Sequence, residues 1–445
     1  ATPASEGSPL RECVSRKPIM STLAALPRIK SHYFLARDYF TLNAYWFALS
    51  FLWNSMGPII LPTLVPMLVP DAQKGSALGI LSAAGLIIAI VVQPAAGAWT
   101  DRRTTRWGKR RPYIVGGTLF DVVFLLLMAF SGNYITLLVG YLLLQTSSNI
   151  AHGPYQGYIP ELVPEAKRGA ASGVARFLEI AGIIVTSLVV GNWVGQGQIV
   201  LSFVAIIFFL LFTMVITALC VTEIPFDGAV VASDEHVEAA AHTADPSSWK
   251  TIFYSRDFFL WLISRLLILL GGNLVRNYAL YFLKDVLKLP NPAAEVGSLL
   301  AIIAVAILFV VFPAGWLSDR IGRKWLIVAS GLLGAVGAVM LMTATTLTMV
   351  LIDGGVIGVS IGIFLSVNWA WATDLIPADQ SGRFLGISNL ATAGSGVLAG
   401  AGGLMLDFFN AQSPNLGYTA LYLTAAVCYL MGAFVALTVK ETRKR

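Results

Sequence analysis

Apolar stretches of about 20 residues, the length that crosses a lipid hydrocarbon core as a helix, recur along the chain between short polar interruptions. They predict helices over 40–68, 76–98, 112–131, 133–157, 170–194, 199–221, 257–286, 294–316, 324–345, 347–373, 383–406 and 417–438. The first and seventh are long and carry Pro or Gly, so both are expected to bend. One substantial polar segment, 223–256, separates the sixth from the seventh and holds Asp234, Glu235, Glu238 and two His. The pattern therefore divides the chain into a tail (1–37), a six-helix bundle (38–222), a linker (223–256), a second six-helix bundle (257–438) and a basic tail (439–445).

Composition turns these helices into membrane spans. Hydrophobic residues make up 56% of the 445 positions and charged residues 12%, against roughly 25% charged in soluble domains. Mean hydropathy is +0.74. The expected fold class is all-α integral membrane, with twelve transmembrane helices in two pseudo-symmetric bundles and the lipid bilayer as solvent. Cys13, Cys220 and Cys428 lie far apart, two of them in apolar runs. They form neither a disulfide framework nor metal-ligand spacing, so buried, inert thiols are expected. The first forty residues carry Arg11, Arg16, Lys17, Arg28, Lys30 and Arg37 but no sustained apolar stretch, so no cleavable signal is expected there. Met20 is a candidate start, with 1–19 as an upstream, disordered extension.

The net charge of +6 changes meaning once it is placed on this topology. With both termini cytoplasmic, the tails and even-to-odd loops hold all but six of the 30 Lys and Arg. Lys74, Lys284 and Lys288 fall on the opposite side, and Arg176, Arg265 and Arg276 within helices. That asymmetry follows the positive-inside rule. It predicts a multi-pass protein of the plasma membrane with both termini cytoplasmic, and it removes nucleic acid as a partner.

An internal repeat supports the two-bundle division. Gly97-Ala-Trp-Thr-Asp101-Arg102 followed by Gly108-Lys109-Arg110 matches Gly315-Trp-Leu-Ser-Asp319-Arg320 followed by Gly322-Arg323-Lys324. Leu162-Val-Pro164 with Gly169 and Gly173 matches Leu375-Ile-Pro377 with Gly382 and Gly386. Two loops repeated in order point to duplication of a six-helix unit. The doubled signature resembles the signature loop of the major facilitator superfamily, over roughly residues 38–440. Its first copy, running through Gly108-Lys-Arg-Arg-Pro112-Tyr-Ile, is similar to that of the plant sucrose/proton symporters and their animal and bacterial relatives, as are Asn149 and Gly153-Pro154. Two positions depart from that group: Gln145 stands where the symporters carry an acid, and Gln156 where they carry an Arg. The resemblance thus implies family membership but not sucrose as substrate.

The signature loop has a physical reading of its own. Asp101 is expected to face the start of the eleventh helix, after Gly382, and Asp319 the start of the fifth, after Gly169. A carboxylate at a helix start is worth up to roughly 2 kcal/mol when partly buried. Asp101, Arg102, Gly108, Arg110, Asp319, Arg320, Gly322 and Arg323 are accordingly candidate gating residues. The plain alternative is that they shape tight loops and hold topology.

Polar residues inside the spans are costly and hence candidates for function. Gln145, Asn149, His152 and Gln156 form one stripe on the fourth helix, and Asn43, Trp46, Ser50 and Trp53 another on the first, with Asn54 beside it. On the seventh helix Arg265, Gly272 and Arg276 align, with Asn273, Asn277, Tyr278 and Tyr281 nearby; the tenth offers Ser360, Phe364, Asn368 and Trp371. The resemblance implies that these four helices line a central cavity. Substrate-binding candidates are Asn43, Trp46, Trp53, Asn54, Gln145, Asn149, His152, Gln156, Asn273, Arg276 and Asn368. Interhelical hydrogen bonding is the alternative role for each. Trp and amide groups suit a neutral polyhydroxylated ligand, so a sugar or glycoside is the expected small-molecule substrate. Arg265 and Arg276 keep an organic anion open.

Proton coupling, with a co-transported proton as a second partner, has three candidates. Asp121 lies about nine residues into its helix, or roughly 13 Å deep. Asp353 is shallower, and Glu179 is expected to pair with Arg176. No G-x-x-x-x-G-K-[ST] loop, nucleophile–base pair or metal-ligand cluster occurs, so neither ATP drive, an enzyme, a metal nor a cofactor is expected. The expected function is a secondary transporter, monomeric and working by alternating access. A drug or organic-anion transporter of the same fold, a membrane sensor and a pigment-delivery or assembly factor are the alternatives.

Overall fold

The computed structural model describes residues 35–101, 105, 107–223, 256–375 and 381–440. Twelve long helices follow one another: α1 (Ala36–Leu68), α2 (Lys74–Asp101), α3 (Arg111–Ala129), α4 (Tyr134–Gln156), α5 (Arg168–Gly195), α6 (Ile199–Cys220), α7 (Arg256–Asp285), α8 (Pro292–Ile321), α9 (Arg323–Thr343), α10 (Leu347–Leu375), α11 (Ser381–Gln412) and α12 (Leu416–Thr438). Ten of them are long and apolar enough to cross a membrane. The other two, α4 and α11, are rich in amide, hydroxyl and glycine residues, which lower their hydropathy. The protein is a multi-pass membrane protein, and no strand occurs among the described residues.

Helix ends differ from the sequence expectation mainly by extension. α2 and α8 run further, so that Asp101 and Asp319 sit on their last turns rather than in free loops. α1 departs from regular geometry over Met56–Ile60, which forms a π-helical turn around Pro58. Proline lacks the N–H for the ordinary ladder and its ring crowds the preceding turn, which widening relieves. The seventh helix, in contrast, continues unbroken through Gly271 and Gly272. Arg102 and the predicted linker beyond Glu223, as well as the first tail up to residue 34 and the last from 441, lie outside the described residues.

Packing repeats with an offset of six helices. α1 lies along α5 and α6 as α7 lies along α11 and α12; α4 lies along α2 and α3 as α10 lies along α8 and α9. Two further pairs join the halves, α2 with α11 and α5 with α8. Lipid offers no hydrophobic drive for helix association, so close approach depends on small residues. A Cβ added at Gly79 would lie 2.1 Å from the Gly400 carbonyl oxygen, and one at Gly403 only 1.9 Å from that of Gly75. In the other seam a Cβ at Gly297 would come within 2.4 Å of the Ser187 carbonyl oxygen. Large apolar side chains such as Phe212, Phe309, Phe312 and Phe434 are exposed on the outer surface, as a lipid-facing wall requires.

Candidate functional site

The two glycine seams lie at one end of the molecule, remote from the α2–α3 and α8–α9 loops; this end is the far side and the other the loop side. Polar contacts reinforce the far-side closure. Lys74, 5% exposed, forms an ion pair with Asp285 at 2.7 Å across the halves. Tyr418 donates to the same carboxylate, and the Tyr281 ring lies 5.5 Å from the Lys74 ammonium. Asp407 of α11 accepts from the amides of Gly75 and Ser76 at 3.0 and 2.6 Å, and from the Ser76 hydroxyl at 2.6 Å. A carboxylate from one half thus occupies the electropositive first turn of α2 in the other.

Beneath this closure lies a cavity of about 240 Å³ between the halves. Asn54 and Pro58 of α1, Ile183 of α5, and Asn273 and Arg276 of α7 line it, with apolar side chains of α8 and α10, Phe364 among them. Arg276 donates to Asn54 Oδ1 at 2.8 Å, which ties α7 to α1. Asn273 donates to Ser395 Oγ at 3.1 Å. A second, more polar cleft of about 570 Å³ opens on the loop side between α2, α4 and α11, lined among others by Gln93, Asp101, Arg110, Gln156 and Asn389. At its edge His152 hydrogen-bonds with Gln93 at 3.4 Å and with Gln156 at 3.1 Å, and its ring meets Trp46 edge-on at 5.2 Å.

The structure separates the sequence candidates into distinct surroundings. Asn54, Asn273 and Arg276 meet in the central cavity, while Gln156, with His152 and Trp46 behind it, belongs to the cleft. Asn43 is fully buried and donates to the carbonyls of Tyr39 and Ala171, so it holds α1 to α5. Gln145 donates to the Tyr141 hydroxyl and Asn149 to Gln145, which turns these two inward along α4. Trp53 is half-buried and lines neither space. Asn368 accepts from Arg265, whose guanidinium also reaches Thr392 and lies 4.7 Å over the Trp369 ring. Among the coupling candidates, Asp121 is fully buried and accepts from Ser147; Asp353 is buried with one carboxylate oxygen unpartnered; Glu179 pairs with Arg176 at 2.5 Å. None of the three lines either space.

Among the described residues, the ion pairs of Lys109, Arg110 and Arg323 lie within their own halves. Arg110 reaches Asp101 at 3.1 Å, Glu161 at 2.6 Å and the Pro154 carbonyl at 2.6 Å. Lys109 joins the same two carboxylates at 3.1 and 2.8 Å. In the second half Arg323 pairs with Asp374 at 2.5 Å and Asp319 at 4.0 Å, and donates to the Ala370 carbonyl. The structural counterpart of Arg323 is therefore Arg110, not Lys109 as the aligned motifs have it; Arg111 and Lys324 correspond likewise, donating to the carbonyls of Val221 and Val439. Gly108, which closes the turn from Thr105, and Gly322, between α8 and α9, share a positive φ of 111° and 102°, which glycine accepts without strain. Arg320 stacks on Trp316 at 3.8 Å. Among the described residues Asp101 and Asp319 pair within their own halves; residues 376–380, which precede α11, lie outside the described residues.

Several partners did not stand out in the sequence. Glu223 accepts from the backbone amides of Arg110 and Arg111 at 3.0 and 2.7 Å and from the Tyr158 hydroxyl at 2.6 Å, so it sits at the start of α3. Glu161, in the short helix Tyr158–Leu162, is pushed up by burial, but the hydrogen bonds and charges of Arg110 and Lys109 outweigh this and hold it below the usual carboxylate range. A signal for Glu161 and Asp374 existed: they directly precede the repeated Leu162-Val-Pro164 and Leu375-Ile-Pro377. Thr392 and Ser395 were legible as a three-residue spacing on α11. Asp285 and Asp407 had no local signal.

Residues 74–440 match the family described as MFS/sugar transport protein. Lactose permease of Lactobacillus helveticus is 27% identical over 313 residues, 66% of this chain and 48% of that protein. A sucrose transport protein of Oryza sativa subsp. japonica is 25% identical over 181 residues, 32% of this chain and 34% of that protein. The chain thus spans between a third and a half of the length of these curated relatives. Among solved structures, the D-xylose-proton symporter superposes with a TM-score of 0.71 at 18% identity, covering 92% of this chain and 99% of the other. The nucleoside transporter NupG gives 0.71 at 14% identity, covering 91% and 100%. At such identities the two structures establish the fold alone.

Proposed function

The chain belongs to the MFS/sugar transport protein family, and from that premise we propose that it is a transporter, not an enzyme, that carries a sugar or glycoside across a membrane by alternating access. One observation carries the reading. The cavity between the halves is sealed on the far side by glycine seams and the Lys74–Asp285 pair, while a polar cleft opens on the loop side. A bilobed molecule with one closed and one open end has the form that rocking between two access states requires. The names of the relatives, a lactose permease and a sucrose transport protein, support the substrate class.

In this reading the loop side is cytoplasmic, which the distribution of Lys and Arg supports, and the protein works as a monomer in the plasma membrane. Asp101 and Asp319 reach the opposite half only when the cytoplasmic side shuts. Asn54, Asn273 and Arg276 hold the solute, and Gln93, His152 and Gln156 line its way in or out. Uptake by the purified protein in liposomes against a panel of sugars, glycosides and organic anions tests the proposal. Saturable uptake of at least one sugar or glycoside is expected; no uptake of any member would remove it in favour of a sensor or assembly role.

A further inference from the structure

Arg265 is buried well inside α7, 4% exposed, and lines neither the central cavity nor the cleft. Its Nε and one Nη donate to the Thr392 hydroxyl at 3.3 and 2.9 Å, and the other Nη donates to Asn368 Oδ1. Both partners are neutral, and among the described residues no carboxylate comes within ion-pair distance. The acids of this half are engaged or remote: Asp285 pairs with Lys74, Asp374 and Asp319 with Arg323, and Asp257 accepts from the Lys440 amide. Asp353 stands some four turns along α10 from Asn368, roughly 22 Å away. A cation buried at membrane depth without a counter-charge is costly.

Aromatic rings answer part of that charge. The guanidinium carbon lies 4.7 Å from the ring centre of Trp369, 5.7 Å from that of Trp261 and 5.9 Å from that of Phe364. Ring faces do not answer the N–H groups gathered beside them. Asn368 Nδ2 and Trp261 Nε1 are both buried without an acceptor. A guanidinium has five N–H groups, so its three recorded bonds leave two more. Buried donors are seldom left unpartnered, and a surplus of them round one cation calls for an anion. The surroundings limit which anion fits. A single positive charge suits a monovalent ion, and side chains buried to 0–4% exposure leave room for one atom rather than for a carboxylate or phosphate. Thr392 is exposed on α11, close in sequence to Asn389 and Ala393 of the cleft lining, which gives the ion a route from the loop side.

We infer that Arg265, Asn368 and Trp261 hold a halide ion inside the second bundle, where it ties α7 to α10 whichever solute is carried. The probe is chloride. Melting temperature of the full chain in detergent is measured as chloride replaces gluconate at constant ionic strength and pH, and the width of the chloride NMR resonance is followed with the same protein. Chloride should raise the melting temperature saturably, by about 2 °C or more, and its resonance should broaden. Asn368→Asp gives Arg265 a fixed carboxylate, so this variant should stay folded and lose both responses. Trp261→Phe keeps a ring but removes the N–H, and should raise the chloride concentration for half the effect at least about three-fold. Equal melting temperatures in chloride and gluconate would overturn the inference and leave the charge to the rings. Responses that persist unchanged in both variants would overturn it as a general salt effect.

Discussion

Lys74 at the start of α2 and Asp285 at the end of α7 meet at 2.7 Å, joining the two halves where the molecule is closed. The lysine side chain is 7% exposed and the aspartate 21%, so water does little to screen the pair. Breaking a buried pair costs up to about 3 kcal/mol, and less here because Asp71 lies 3.2 Å from Lys74 and Tyr418 still donates to Asp285. Lys74→Gln or Asp285→Asn should therefore shift the protein toward a form open on the far side. The expected readout is faster labelling of a cysteine at Asn273 by an impermeant reagent applied from the far side. Unchanged labelling in both variants would show that the seams alone hold the closure.

The seams themselves can be wedged. A methyl at Gly403 would stand 1.9 Å from the backbone oxygen of Gly75, where no side chain can rotate away. Gly403→Ala should leave insertion intact, abolish far-side closure and reduce uptake by more than about ten-fold, since helix backbones yield less readily than side chains. Gly394 has open space around its Cβ position, so Gly394→Ala is the control with near-normal uptake.

Glu161 provides a pH prediction with a definite sign. Its carboxyl is held below the usual range in the folded protein by Arg110 and Lys109. Its contribution to stability is therefore fully present above the unfolded value, about 4.3, and is lost as pH falls through the depressed folded value. Because the side chain is 36% exposed, the contribution is small, on the order of 1 kcal/mol or less. Melting temperature in detergent should fall on acidification in the wild type and fall less in Glu161→Gln, with the two curves converging at low pH. Parallel curves would assign the acid sensitivity to other groups.

Asp121 is tested by its amide. The carboxylate touches Ser147 and lines neither the cavity nor the cleft. Asp121→Asn preserves the shape and a hydrogen-bonding partner for Ser147, so uptake and its dependence on external pH should match the wild type in the same vesicles. Loss of the pH response would move a proton step to α3.

The number and order of the helices, the duplication and the basic bias of one side were legible in the sequence, because each span satisfies its own backbone hydrogen bonds and ten of the twelve are apolar by themselves. Those signals are local. The polar stripe on α4 was equally legible, but its destiny was not: Gln145 and Asn149 turn inward to Tyr141 and each other, while Gln156 reaches the cleft. Helical spacing names a face without saying what that face meets. The same limit holds for charges. Asp101 and Arg110 lie close in the chain, yet the third member, Glu161, arrives through the fold, and Asp407 caps Ser76 across a separation of 331 residues. Partner choice of this kind depends on distances between distant segments, and for Asp407 and Ser76 those distances follow from glycines that let α2 and α11 touch backbone to backbone. The sequence by itself determined a duplicated membrane bundle with polar faces. Only the tertiary structure decided which end is shut and which polar residues share the cavity, because both depend on how two six-helix halves lean together.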